Sequence, residues 1–352
     1  MKVLVIGSGL IGTSIALKLK SNGHQIWIDD SDQANLALAK DLIGNNDAKP
    51  EFFDLIIIAT PIGSILDIAK NLKSFNDKST VIDIGGLKSK LLVEVEKIPD
   101  LAKIYVSTHP MAGREFTGPT SARADLFEGR AWLITPAKSA SKEAIAVAEK
   151  IGAELGSTTY LMDSNLHDST IAAVSHMPQI LSSLMGQLID SEDSKALNFA
   201  GQGLRDVSRL ADSDGQMWSE LLIENQNELS SRIDKAIAAL GELKNSLKSE
   251  DKAKVLAFFN SGKSGRGKIP GKHGAKQREY SYLPIVIDDK PGQLAKIFDE
   301  CAECSVNVED LSIEHSPNQA TGLITLALSE SDAQKLKKHL QLKGWLAQEI
   351  RR

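Results

Sequence analysis

The stretch Met1 to Ser31, MKVLVIGSGLIGTSIALKLKSNGHQIWIDDS, decides the fold. Val3 to Ile6 is a short, wholly apolar run, the pattern of a strand buried on both faces of a parallel sheet. Gly7, Gly9 and Gly12 follow at once in G-x-G-x-x-G spacing. Ile11, Ile15 and Leu19 then recur at i, i+4, i+8 on one helical face, and Gly23 stands where a helix C-cap belongs. A second apolar run, Ile26 to Ile28, ends in Asp29 and Asp30. The residue types follow from a dinucleotide site. Gly7 permits the tight turn, Gly9 lets backbone approach a pyrophosphate, and Gly12 lets helix pack on strand. The first helical turn, with Leu10 and Ile11, offers its N–H groups to the phosphates.

A lone glycine motif is weak evidence, but here strand, helix and closing acid are all in place. Asp29 comes first after the second strand, so it is the expected partner of the ribose hydroxyls, with Asp30 beside it. A carboxylate there repels a 2′-phosphate, and Ser31 and Asp32 follow rather than arginine, which favours NAD over NADP.

Going outward, buried-strand runs recur at Leu55–Ala59, Val81–Ile84, Ile104–Ser107, Trp132–Ile134 and Thr158–Leu161, with helical patterns between them. This alternation predicts a doubly wound parallel sheet over residues 1–162, an α/β Rossmann domain. Ligands bind beyond the carboxyl ends of such strands. Thr60, Pro61, Gly85, Gly86 and His109 stand at those ends and should line one crevice. Residues 163–248 read as an all-α domain. Trp218, Leu222, Asn225, Leu229, Ile233, Ile237, Leu240 and Leu247 recur as on one helix of about 30 residues, too long to bury its stripe alone. A partner subunit is expected to cover it, giving a homodimer. The segment 249–279 reads as a Gly- and Lys-rich linker. Residues 280–352 show strand, helix, strand, strand, helix, strand, an α+β ferredoxin-like order.

Composition sets limits. The chain has 352 residues, 42% hydrophobic and 25% charged, as in ordinary globular proteins. A net charge of −5 argues against nucleic acid or an anionic membrane as partner. No run of about 18 apolar residues exists to span a membrane, and Met1 leads straight into a core strand. Cys301 and Cys304 are the two cysteines. With no second pair beside them they read as helix residues rather than a metal or redox site, in a reduced, cytoplasmic protein.

Chemistry points first to His109. Thr108-His109-Pro110 directly follows a sheet strand, and a neutral imidazole with a pKa near ~6.5 accepts protons at cell pH. Arg205 and Arg209 lie four apart, a spacing that suits either a dicarboxylate or a solvated helix face. His176 precedes Pro178, a residue suited to a helix N1 position, so it either caps that helix or faces the cleft.

These residues resemble the prephenate/arogenate dehydrogenase family in the form that carries a C-terminal ACT domain. The resemblance spans the chain: VIGSGLIGTSIA at 5–16, ATP at 59–61, THPMAGRE at 108–115 and LFEGRAWLITP at 126–136. It continues in HD at 167–168, AAVSHMPQ at 172–179, GLRDVSRLADSDGQMW at 203–218, LIEN at 222–225, IPGKHG at 269–274 and DDKPGQLAKIF at 288–298. It implies NAD-dependent oxidative decarboxylation of prephenate or arogenate in tyrosine biosynthesis. His109 would take the proton of the ring hydroxyl and Arg209 would hold a carboxylate. Glu115, His176, Trp218 and Arg205 would shape the substrate pocket. Two positions depart: Gly86 and Gln179 stand where the family commonly has serine and histidine. Both bear on the choice between prephenate and arogenate, which differ in a keto versus an amino group. The ACT resemblance implies an amino-acid effector, tyrosine, held near Asp289, Pro291, Gly292, Gln293 and Leu294. Rival readings are a 3-hydroxyacid dehydrogenase, which would use a helical-domain lysine, and a non-catalytic NAD- or amino-acid-binding sensor.

Overall fold

The computed structural model describes residues 1–44, 49–72, 76, 78–112, 118–269, 280–315 and 321–351. They form two compact units, one of Met1–Leu184 with Leu210–Lys235, the other of Met185–Arg209 with Ala236–Arg352. The first unit holds seven strands: β1 (Lys2–Ile6), β2 (Gln25–Asp29), β3 (Leu55–Ile58), β4 (Thr80–Asp83), β5 (Tyr105–Pro110), β6 (Ala131–Pro136) and β7 (Thr158–Leu161). Their order is β2-β1-β3-β4-β5-β6-β7, so the winding reverses at β1/β3. That switch point is where an open α/β sheet leaves a crevice for a ligand.

Period-two alternation sends side chains to opposite layers. Val3, Val5, Leu55 and Ile57 pack with α1 (Leu10–Ser21), α2 (Gln33–Ile43) and α6 (Lys142–Glu154). Leu4, Ile56 and Ile58 face α3 (Ile62–Lys70), α4 (Ser89–Val95) and α5 (Pro99–Ala102). Each aliphatic side chain so buried contributes about 1.5–3 kcal/mol, which is why these runs carry no polar residue.

The alternation predicts a wholly parallel sheet, and the observed sheet is mixed. β6 runs antiparallel to β5, and β7 lies parallel to β6. A parallel pair needs a crossover, usually a helix, but the described residues between β5 and β6 hold only a 3₁₀ turn at Pro119–Ser121. The same pairing extends β5 through Pro110, so His109 sits inside the strand rather than after it, opposite Leu133.

Helices follow. α7 (Ser164–Ile171) continues through a π segment, Ala172–His176, into α8 (Met177–Asp190). His176 therefore lies within a continuous helical run and does not cap one. Pro178 has no N–H for the usual i→i−4 bond, a local cause for the wider winding. α9 (Ser194–Leu197) and α10 (Gln202–Ser208) are short. The single long helix expected along the Trp218–Leu247 stripe is two, α11 (Gly215–Glu224) and α12 (Gln226–Lys248), broken at Asn225. No described helix is long and apolar enough to cross a membrane.

In the second unit, α13 (Lys252–Arg266) occupies much of the stretch read as linker. Asp251 caps it by accepting from Lys254 N–H at 3.1 Å, which starts the helix despite its glycines. The unit's sheet is built from β8 (Ser281–Asp288), β9 (Asp310–His315), β10 (Thr321–Leu328) and β11 (Leu346–Ala347), with α14 (Gln293–Glu303) and α15 (Glu330–Leu342). Its order, β11-β8-β10-β9, and its antiparallel pairings are those of a ferredoxin-like fold. Leu283, Ile285, Ile324, Leu326 and Leu336 form its core, with Cys301 and Cys304 buried beside them. Burial pushes the Cys301 thiol up to about 11, so it is inert.

Candidate active site

The glycine loop closes on β3. Gly7 adopts φ +106°, and a Cβ there would stand 2.3 Å from the carbonyl oxygen of Ala59. A Cβ on Gly12 would stand 2.0 Å from the carbonyl oxygen of Gly7. Nothing lies within 4 Å of a Cβ built on Gly9, and no side chain caps α1 there. Loop and helix start thus leave open space with N–H groups aimed into it, a fit for a pyrophosphate. Asp30 accepts from Ser8 N–H at 2.5 Å and from its hydroxyl at 2.7 Å. Burial works to raise its pKa, but the Ser8 and Asp32 N–H groups outweigh it and hold the carboxyl below its usual value. Asp29, the expected ribose partner, turns instead to Lys49 at 3.2 Å and is half exposed. Thr60 and Pro61 follow β3, where Ser64 donates its hydroxyl to that of Thr60 at 3.0 Å.

Beside this crevice lies a buried ion pair. Lys88 Nζ donates to Asp83 Oδ1 at 2.7 Å and to the carbonyl of Thr108 at 2.6 Å. Asp83 also accepts from Gly85 N–H, the Tyr105 hydroxyl at 2.9 Å and the Ser107 hydroxyl. Its carboxylate is therefore surrounded by donors, the condition under which a buried charge is tolerated. Burial lowers Lys88 and raises Tyr105 far up, so the phenol stays protonated. By holding Thr108, Lys88 fixes the backbone that carries His109.

His109 Nδ1 lies 3.0 Å from His167 Nε2, and His167 Nδ1 lies 2.8 Å from Asp168 Oδ1. Asp168 also accepts from the N–H of Lys88 at 3.0 Å and of Ser89 at 2.8 Å, at the start of α4. Asn225, from the α11–α12 break, donates to the Asp168 carbonyl at 3.0 Å and meets His176 Nδ1 at 3.2 Å. The Trp218 ring stands edge-on to His176, centroids 5.8 Å apart. Burial, with the Lys88 charge behind it, holds His109 well below its ordinary pKa. Burial likewise lowers His167, and pushes His176 down to about 4. For Asp168, burial alone would raise the pKa; hydrogen bonds from His167 and Ser89 outweigh it and keep the carboxylate ionised. Three neutral imidazoles and one carboxylate result, an arrangement suited to accepting a proton.

The remaining expected residues divide. Gly86 lies beside Leu221, whose Cδ2 would stand 3.2 Å from an added Cβ. Gln179 commits its amide to the Leu210 carbonyl at 2.7 Å and the Ser213 hydroxyl at 3.2 Å, bracing a loop. Arg205 and Arg209 belong to the second unit; Arg205 lies in the last turn of α10 and Arg209 is its C-cap, opening a 3₁₀ turn. Glu115, Lys272 and His273 lie outside the described residues. In the second unit, Asp289, Pro291 and Gly292 lie in the turn before α14, Gly292 as its N-cap at φ +86°, and Gln293 and Leu294 open the helix. Leu294 is 40% exposed, whereas Ile297 and Cys301 of the same helix are buried. The sequence assigned no role in the site to Asp83, Lys88, His167, Asp168 or Asn225, although His167 and Asp168 stand in the HD stretch of the family resemblance and Asn225 in the apolar stripe. Signals existed: a polar Asn225 in an apolar stripe, and an aspartate and lysine five apart after a buried strand.

Two family models match the chain: "Prephenate dehydrogenase, nucleotide-binding domain" over residues 15–161, and "Prephenate dehydrogenase, dimerization domain" over 163–261. A probable prephenate dehydrogenase, NovF, of Streptomyces niveus is 28% identical, over 98% of each chain. The prephenate dehydrogenase of Bacillus subtilis is 27% identical, over 95% of this chain and 93% of its own. Among solved structures, prephenate dehydrogenase from A. aeolicus, in complex with hydroxyphenyl propionate and NAD+, is 27% identical with a TM-score of 0.68, covering 76% of this chain and 97% of its own.

Proposed function

Because this chain belongs to the prephenate dehydrogenase family, we propose that it converts prephenate to 4-hydroxyphenylpyruvate by NAD-dependent oxidative decarboxylation. It is an oxidoreductase, and its first domain binds the nucleotide. Gly7, Gly9, Leu10, Ile11 and Gly12 would hold the pyrophosphate, Asp30 with Asp29 the ribose, and Thr60 and Pro61 the face of the crevice. NAD, when bound, supplies the acceptor for the hydride of ring C4.

The protein's own part is proton handling and orientation. His109 Nε2 takes the proton of the C4 hydroxyl, whose oxygen becomes a carbonyl as the hydride departs. Carbon dioxide then leaves C1, its bonding electrons enter the ring, and the oxygen recovers a proton as a phenol. Arg209, assisted by Arg205, anchors a substrate carboxylate. His176, whose Nδ1 faces Asn225, presents an Nε2–H donor, with Trp218 packed against it. The observation that carries this reading is His109 itself. It is a half-buried, neutral imidazole on β5, wired to a carboxylate through a second histidine.

The second unit completes the proposal. Its ferredoxin-like sheet and the Gly292 turn support an ACT domain that takes tyrosine as effector. Ile237, Leu240 and Leu247, exposed in the single chain, support a homodimer. Assays of prephenate or arogenate with NAD or NADP, each repeated with tyrosine, test the whole. NADH formation from prephenate supports it; turnover of arogenate alone would replace the substrate. Tyrosine inhibition purely competitive with prephenate would remove the ACT-based regulation.

A further inference from the structure

We propose that His167 and Asp168 are positioning residues that fix the tautomer of His109, so that its Nε2, and not its Nδ1, is the base. The proposal rests on the reading of His109 as the proton acceptor. Asp168, at one end of the chain of contacts, accepts from the N–H groups of Lys88 and Ser89. An ionised carboxylate can only accept, so the 2.8 Å contact to His167 Nδ1 places a proton on that nitrogen. Neutral His167 then has a lone pair at Nε2, 3.0 Å from His109 Nδ1. That contact needs a proton on His109 Nδ1, which leaves Nε2 as the acceptor. The geometry writes each tautomer in turn.

Proton balance gives the chain a purpose. The substrate loses one hydride, one proton and carbon dioxide, and the phenol oxygen regains one proton. No net proton is released, so the proton on His109 Nε2 is held for one step and returned to the same oxygen. The imidazolium formed meanwhile faces Lys88 and His176, both of which disfavour it; a charged His167 would do the same, so His167 can serve only as the neutral tautomer whose Nε2 lone pair accepts. Asp83 is occupied by Lys88. His167, backed by the Asp168 carboxylate, is the group placed to stabilise it.

Two measurements test this. Two-bond ¹⁵N–¹H correlation spectra of the wild type read the tautomers without any assay. Protons on Nδ1 of both His109 and His167 are expected, and a neutral His109 protonated on Nε2 would overturn the proposal. Kinetics are the second measurement. His167→Leu should lower kcat by roughly 10²–10⁴-fold, the range for disabled acid–base chemistry, with KM values nearly unchanged. Its acid limb should move to lower pH, because the imidazolium has lost its acceptor. His167→Gln, whose amide can accept from His109 and donate to Asp168, should recover at least about tenfold of that loss. A folded His167→Leu enzyme with wild-type kcat and acid limb would sink the relay; should that variant fail to fold, the spectra decide. Comparison with His109→Asn separates the two readings. Loss of rate there but not in His167→Leu removes only the relay, whereas retention in both removes the base.

Discussion

Lys88 donates to Asp83 at 2.7 Å, and neither side chain is exposed to solvent at all. The pair joins the end of β4 to the start of α4 and, through the Thr108 carbonyl, to β5. Lys88→Met would leave a buried carboxylate without its cation, which costs about 3–5 kcal/mol in comparable pairs. Urea denaturation should show that loss. The same variant should raise the acid limb of the rate profile, because the Lys88 charge is one of the influences holding His109 down.

Cofactor choice should depend on Asp30 more than on Asp29. Asp30 is bonded to the glycine loop through Ser8, whereas Asp29 is paired with Lys49 at the surface. Asp30→Ser should weaken NAD binding and narrow the preference over NADP, and Asp29→Ser should do less. Dissociation constants for both cofactors check this; a larger effect at Asp29 would restore the acid favoured by sequence order.

Acid should weaken the fold through His176. It is 2% exposed, and burial pushes its pKa down to about 4. The unfolded chain protonates this residue near ~6.5, so between those values the unfolded state binds more protons and stability falls as pH falls. The full loss by pH 4 is about 3 kcal/mol. Denaturation midpoints for wild type and His176→Asn should diverge at pH 7 and converge toward pH 4.

Sequence legibility followed the kind of force involved. The glycine loop was legible because Gly7 and Gly12 are sterically required against Ala59 and one another. Buried strands were legible because both their faces are apolar. What was hidden depended on pairing. The antiparallel β6 goes with the lack of a crossover helix among the described residues between β5 and β6, and the break at Asn225 with a side chain drawn to Asp168 and His176. The same holds within the site. His109 was visible by its place at the end of an apolar run, but its orienting partners come from α7 and are adjacent only in space.

Substrate anchoring is expected at Arg209. Arg209→Ala removes a charge-assisted contact, so kcat/KM for prephenate should drop by about 2–5 kcal/mol, mostly through KM. Arg205→Ala should cost less. Steady-state kinetics on both variants would reverse the assignment if Arg205 proved the more costly.

The central claim is that His109 is the base of a prephenate dehydrogenase. The direct measurement is the pH dependence of NADH formation from prephenate by wild type and His109→Asn. Wild type should be active with an acid limb set by His109, lying below the ordinary histidine range. The variant should lose roughly 10²–10⁴-fold in kcat and the limb itself, while binding NAD as before. A variant that keeps both its rate and its acid limb, or a wild type that forms no NADH from prephenate, would contradict the account.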